Sequence, residues 1–262
     1  MSKATDFTHA IVRAPAASVT DGLRAVDAGS PDAARFAADH AAYVAALREA
    51  GAEVVALPAL EDFPDSVFVE DAALCLPEGA VVLRPGAPSR LGEAAAMAPT
   101  LRDLYARVEA VEDGYIEGGD ILVTESEILV GLSARTDAAG VASLRAIVEP
   151  WGHTVRQLAT PADVLHFKTD CGLLDGGTVL ATDRLAASGC FEGYRVIPVA
   201  AGEEACANCV RFNGVVLFPA GFPKTAARLR EAGYALVELP NEQAALVDGG
   251  MSCLSLRFSP EA

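Results

Sequence analysis

Cys253 sits where a glycine turn meets an apolar run, in Asp248-Gly249-Gly250-Met251-Ser252-Cys253 followed by Leu254 to Phe258. Packing alone can explain such a thiol, because free cysteine behaves as a small hydrophobe. A nucleophile at the same junction is the rival explanation. Polar residues also interrupt the other apolar runs: Glu70 and Asp71, Glu117 and Asp120, His166 and Asp170, and Asn208. Each has an ordinary explanation by itself. Asp120 after Gly118-Gly119 can close a turn, Asp71 can be a strand-end carboxylate in water, and His166 between Leu165 and Phe167 can be a satisfied core histidine. Recurrence at one register of successive units points instead to a shared polar cavity, since such side chains are costly to bury unless paired.

A cavity holding two carboxylates, an imidazole and a thiol suits a guanidinium ion. Carboxylates recognise the planar cation through paired N–H bonds. A thiolate can attack its central carbon while the histidine moves protons, and the product is a urea. Guanidinium resists water because it is delocalised and cationic, so the site must hold it fixed with a nucleophile at short range. The bound cation would also help lower the thiol's pKa. No metal is needed for this chemistry.

The elements that must position these residues repeat along the chain. In "GSPDAARFAADHAAYVAALREAG", Ser30 offers a helix N-cap, Pro31 fits the first helical position and Gly51 fits just past the end, with Phe36, Tyr43, Val44 and Leu47 at helical spacing. The strand-like "AEVVALPA" follows, then two apolar runs joined by the turn in "LPEGA" and a helix from about Arg90 to Tyr105 with Ser89 as its cap. Strand, turn, strand and helix return in "GYIEGGDILVTESEILVGLSARTD", whose helix starts near Asp137 and stops before Pro150. Two further units turn at Asp175-Gly176-Gly177 and at Asn213-Gly214, and the last helix ends at Gly233. The C-terminal run lacks a partner, which the N-terminal "HAIVRAP" can supply. A period of roughly 40 to 50 residues argues for a radial repeat, since one short unit cannot bury its own face. The expectation is one domain, a closed ring of five ββαβ-like modules.

Composition narrows the partners. The chain has 262 residues, is 52% apolar and carries a net charge of -16. That charge disfavours nucleic acid and anionic lipid, while carboxylates around a cleft attract a cationic small molecule. No apolar run is long enough for a membrane span, and "MSKATDFTHAIVRAP" lacks the apolar core of a secretory signal, so a cytoplasmic protein with reduced cysteines is expected. Six cysteines in so long a chain do not read as a disulfide framework. Cys206 and Cys209 form the one close pair and lack the second pair or histidine cluster that a zinc site requires.

Across nearly the whole chain, "FPDSVFVEDAAL", "EGGDILV", "GLSARTDAAG", "LHFKT", "CANCVRFNG" and "DGGMSCLSLRF" resemble, in order and spacing, the guanidine-modifying or pentein superfamily, and within it the dimethylarginine dimethylaminohydrolases. The resemblance implies an α/β fold, a five-bladed propeller forming one catalytic domain over residues 1–262. It implies hydrolysis of N-omega-methylated arginines to citrulline and a methylamine through a covalent thiouronium on Cys253, with no cofactor and no metal. His166 matches the family's general acid/base, Glu117 the carboxylate beside it and Asp71 the second guanidinium-binding carboxylate. Arg90 and Arg135 match arginines that grip the α-carboxylate, while Asp65 and Leu23 match positions near the amino group and entry loop. Glu70 and Lys168 fit structural partners behind the site. A homodimer is compatible with the resemblance. One departure is the Asp170-Cys171 pair after "LHFKT", which leaves the cavity wall undefined and makes Cys171 a rival thiol.

Two other readings stand beside this one. Arginine deiminases run similar chemistry on unmethylated arginine, but resemble longer chains with an inserted helical segment. A catalytically silent binder of cationic amino acids could use the same carboxylates, although Cys253 and His166 together argue against it.

Overall fold

Each pair of apolar runs folds into an antiparallel hairpin, and each hairpin passes through a helical crossover into a third strand parallel to the second. The computed structural model describes residues 4–260, so the first three residues of the segment read above for a leader lie outside the described residues. The chain opens with β1 (His9–Arg13), α1 (Ala33–Glu49) and β2 (Glu53–Leu57). The second unit is β3 (Ala73–Leu76), β4 (Gly79–Val82), α2 (Leu91–Leu104) and β5 (Val108–Ala110). The third is β6 (Ile121–Val123), β7 (Ile128–Leu132), α3 (Ala138–Val148) and β8 (Val155–Ala159). The fourth is β9 (Cys171–Asp175), β10 (Thr178–Ala181), the single turn α4 (Asp183–Ala186) and β11 (Arg195–Pro198). The fifth is β12 (Val210–Phe212), β13 (Val215–Pro219), α5 (Pro223–Glu231) and β14 (Ala235–Leu239). A short α6 (Glu242–Ala245) then leads to β15 (Leu256–Phe258), which completes the first sheet in the order β15-β1-β2. His9 pairs with Phe258 across that antiparallel seam, so the two ends of the chain close the ring.

The result is five three-stranded sheets arranged as the expected pseudo-fivefold propeller. The first strand of each hairpin lies innermost. Residues of β3, β6, β9, β12 and β15 together line a narrow central cavity of about 110 Å³. The core lies between blades; Phe36, Tyr43 and Leu47 of α1, for example, pack with Phe68, Phe212 and Met251. Burying each such side chain contributes about 1.5–3 kcal/mol.

Local chemistry sets the helix ends, with two departures from expectation. The N-cap of α1 is Asp32 rather than Ser30, its carboxylate accepting from the Arg35 amide at 2.9 Å. The Asp32 amide donates to Gln243 Oε1 at 2.8 Å, which fixes the helix start two residues later, and Ser30 instead meets Arg24. Before α2, Ser89 lies inside a 3-10 turn, Pro88–Arg90, and caps nothing. Asp137 caps α3 as expected, accepting from Gly140 N at 2.8 Å.

A third departure matters more for function. The recurring polar residues stand on or beside short 3-10 turns that precede the inner strands, and not within the strands. These turns are Val69–Ala72, Gly118–Asp120, Phe167–Thr169, Glu204–Cys206 and Ser252–Leu254. A strand alternates its side chains between two faces. A turn at the rim of the ring can present several toward one point above the centre.

Candidate active site

Four of the five turns contribute to one polar cluster. Asp71 comes from the first, Glu117 precedes the second, His166 precedes the third and Cys253 lies in the last. All four are buried. Two glycines let the turns approach this closely. A Cβ on Gly119 would lie 2.7 Å from His166 Cγ, and one on Gly250 would lie 2.3 Å from Asn208 Cγ. The "EGGD" and "DGG" glycines are therefore required by neighbours, whatever their turns demand.

Hydrogen bonds fix each group. His166 Nε2 lies 2.6 Å from Glu117 Oε2, while Glu117 Oε1 accepts from Arg135 Nη1 at 3.3 Å and from the Ala87 amide at 3.2 Å. Asp120 orders the histidine segment by accepting from the Phe167 amide at 2.8 Å and from Ser133 Oγ at 2.7 Å. Asp71 accepts from the Gly119 amide at 2.8 Å and from Arg90 Nη1 at 2.5 Å. Cys253 Sγ accepts from the Gly250 amide at 3.4 Å.

These contacts set the charges. Burial pushes Glu117 up, but the His166 hydrogen bond and charge, with Arg90 and Arg135, outweigh it and hold the carboxyl down at about 2. Burial pushes His166 down, yet Asp71, Glu117 and Asp120 raise it to about 9. The pair therefore stands as carboxylate and imidazolium at neutral pH. Cys253 is pushed up to about 12, first by burial and then by the charges of Glu70 and Asp71, against the Gly250 amide and Lys168. The resting sulfur is a thiol.

A small cavity of about 30 Å³ joins the expected residues: Leu23, Asp65, Asp71, Arg90, Arg135, His166 and Cys253 all line it. Glu117 lies behind the wall, fully buried. The volume is room for little more than a water or two. The segment bearing Leu23 closes over it, with the Leu23 amide donating to Asp65 Oδ1 at 2.9 Å and the Ala25 amide to Asp248 Oδ2 at 2.6 Å. The segment forms a lid over the small cavity.

The arginines differ. Arg90 is fully enclosed and committed to Asp71, to both Glu93 oxygens and to the Phe68 carbonyl at 3.0 Å. Arg135 is partly exposed, and Glu117 is the acidic partner of its guanidinium. Glu70 forms the floor between cluster and central cavity, accepting from Lys168 Nζ at 2.5 Å, Arg257 Nη2 at 2.6 Å and Ser252 Oγ at 2.7 Å. Cys171, the rival thiol, donates to the Phe167 carbonyl at 3.4 Å, and burial holds its pKa well above the usual range; it lines neither cavity that His166 reaches. Asp170 is taken up by Arg184 and by Thr182 Oγ1 at 2.7 Å. Cys206 and Cys209 are free and buried.

Sequence reasoning missed Glu93 and Asp248. Glu93 is legible only as the i+3 neighbour of Arg90. Among the described residues, Asp71, Glu117 and His166 place possible metal-ligand atoms within 4.8 Å of one another. Each of the three already holds a partner within the cluster.

The family model described as "N,N dimethylarginine dimethylhydrolase, eukaryotic" matches residues 26–157. The chain is 38% identical over 254 residues to N(G),N(G)-dimethylarginine dimethylaminohydrolase of Pseudomonas aeruginosa, covering 96% of this chain and 100% of that one. A crystal structure of a mutant of the Pseudomonas aeruginosa enzyme complexed with citrulline superposes with a TM-score of 0.94 at 37% identity, covering 96% of this chain and 99% of that one. The product-bound N-terminal domain of ArgZ, an arginine dihydrolase from Cyanobacteria, shares the fold with a TM-score of 0.83 at 20% identity, covering 96% and 98% of the two chains.

Proposed function

The chain belongs to the N(G),N(G)-dimethylarginine dimethylaminohydrolase family, and from that premise we propose that it hydrolyses N-omega-methylated arginines to citrulline and dimethylamine or methylamine, with Cys253 as nucleophile. The observation that carries this reading is the small cavity shared by Cys253, His166 and Asp71, with Glu117 hydrogen-bonded to the His166 imidazole.

The substrate guanidinium settles against Asp71, and its positive charge counters the burial and the Glu70 and Asp71 charges that keep Cys253 protonated. The thiol proton passes to water. Sulfur then bonds to the guanidinium carbon, the bond from that carbon to the substituted nitrogen breaks, and the imidazolium of His166 gives its proton to the departing amine. Water adds its oxygen to the resulting thiouronium carbon and returns one proton to His166. The sulfur–carbon bond breaks as the added oxygen gives up its remaining proton, leaving the ureido group of citrulline, and the sulfur takes up a proton to restore the thiol. Glu117 keeps the imidazole oriented throughout and favours its charged form before the amine leaves and after water adds.

Arg135 holds the α-carboxylate, supported by its partial exposure at the cavity wall. Arg90, wrapped in buried acids, acts chiefly by fixing Asp71. Asp65 and Leu23 serve the amino end and the lid. The whole chain works as one catalytic domain, in the cytoplasm and as a homodimer; its six free cysteines support a reducing compartment, and light scattering reads the assembly. No helix among the described residues is long and apolar enough to cross a membrane.

Incubation with asymmetric dimethylarginine and with arginine, measuring citrulline, tests the assignment. The methylated substrate should turn over faster. Faster turnover of arginine would overturn it.

A further inference from the structure

His166 and Cys253 face two cavities. Beyond the small one that encloses the amino-acid end, they also close the inner end of a second cavity of about 440 Å³. That size falls within the roughly 300–1,000 Å³ of ordinary ligand sites. The two share only His166, Asp248, Gly249 and Cys253. Gly119, packed against the imidazole ring, lines the second alone, while Asp71 and Arg135 line the first alone. The outer wall of the second cavity contains Ala205, Ala220 and Ala245, all exposed, so it opens to solvent. Pro219 and Phe222 add apolar wall, and exposed Glu204, Glu242 and Arg184 also line it, Glu242 paired with Arg35 and Arg184 with Asp170.

An arginine is a linear molecule with one reacting end. With its α-carboxylate at Arg135 and its guanidinium carbon at Cys253, the substituted nitrogen must lie at the neck beside His166, the group that protonates it. Anything attached to that nitrogen continues away from the amino-acid end. We propose that the second cavity is the binding subsite for the N-omega substituent and the exit for the amine it becomes. This rests on the hydrolase reading above and extends it. Apolar Pro219 and Phe222 suit an alkyl chain longer than methyl. The amine keeps the proton His166 delivers and becomes an ammonium ion by taking up the one the thiol released to water. Glu204 at the opening suits that cation, since Glu242 and Arg184 already hold partners.

The test compares citrulline formation from N-omega-methyl- and N-omega-propyl-L-arginine in the wild type and in Ala220→Trp, which narrows the opening. The wild type should hydrolyse the propyl substrate within about tenfold of the methyl one, and Ala220→Trp should lower the propyl-to-methyl ratio by about tenfold or more. Should Ala220→Trp fail to fold, Ala205→Trp blocks the same cavity from another blade segment. A wild type that turns over the methyl substrate and rejects propyl, or a ratio unmoved by the bulky side chain, overturns the subsite while leaving the hydrolase assignment intact. A wild type that makes citrulline from neither overturns both.

Discussion

His166 Nε2 and Glu117 Oε2 are 2.6 Å apart, a buried imidazolium–carboxylate pair whose members come from two different blades, 49 residues apart in sequence. The carboxylate keeps charged a histidine that burial alone would neutralise.

Replacing Glu117 by Gln removes one of the charges that hold His166 near 9. His166 then loses its proton at lower pH, so the alkaline limb of the kcat profile moves toward neutrality. Loss of the oriented acid should lower kcat by about 10²–10⁴. Steady-state kinetics across pH read both effects, and an unmoved alkaline limb would assign that limb to another group.

Arg90 and Arg135 should fail in different ways. Arg90→Met leaves Asp71 and Glu93 buried without their cation, a loss of about 3–5 kcal/mol seen as a lower midpoint in denaturant. Arg135→Gln sits at a partly exposed position and should leave that midpoint nearly unchanged while raising KM about tenfold or more.

Asp248 adopts φ +58, a left-handed conformation that aspartate tolerates better than most residues. Its carboxylate holds the Ala25 amide at 2.6 Å. Asp248→Asn keeps an acceptor and the backbone preference, whereas Asp248→Ala keeps neither. Hydrogen exchange at residues 22–26 should accelerate in the alanine variant and stay near wild type in the asparagine one, with KM rising only in the former.

His40 is buried on α1, its Nε2 has no hydrogen-bond partner among the described residues, and burial lowers its pKa from 6.5 to about 4. The unfolded chain binds a proton there below about pH 6.5, and the folded chain resists it until about pH 4. Stability from this group is therefore present above 6.5 and falls by up to about 3 kcal/mol as pH drops to 4. Denaturant melts of His40→Leu should lose less between those two values than the wild type does.

Much of this was legible in the sequence, and the reasons are physical. Hairpin turns such as Asp175-Gly176-Gly177 and Asn213-Gly214 carry their own backbone preference, so the repeat was readable locally. The pairing of His9 with Phe258 followed from a C-terminal run that needed a partner. The motifs holding Asp71, Glu117, His166 and Cys253 were recognisable because each sits beside a short turn with its own sequence signature. What the sequence hid was long-range. Asp32 displaced Ser30 as cap because Gln243, 211 residues away, fixes its amide. Asp248 reads as an ordinary turn aspartate until Ala25, 223 residues earlier, is brought against it. Arg90 reads as a free cation, and only folding surrounds it with Asp71, Glu93 and the Phe68 carbonyl.

The central claim is that the sulfur of Cys253 bonds to the guanidinium carbon during turnover. Rapid acid quench with asymmetric dimethylarginine, followed by peptide mass spectrometry, tests it most directly. The account predicts a thiouronium-sized mass increase confined to the peptide bearing Cys253 and absent from Cys253→Ser. An adduct on the Cys171 peptide, or citrulline formation by Cys253→Ser at the wild-type rate, would contradict it.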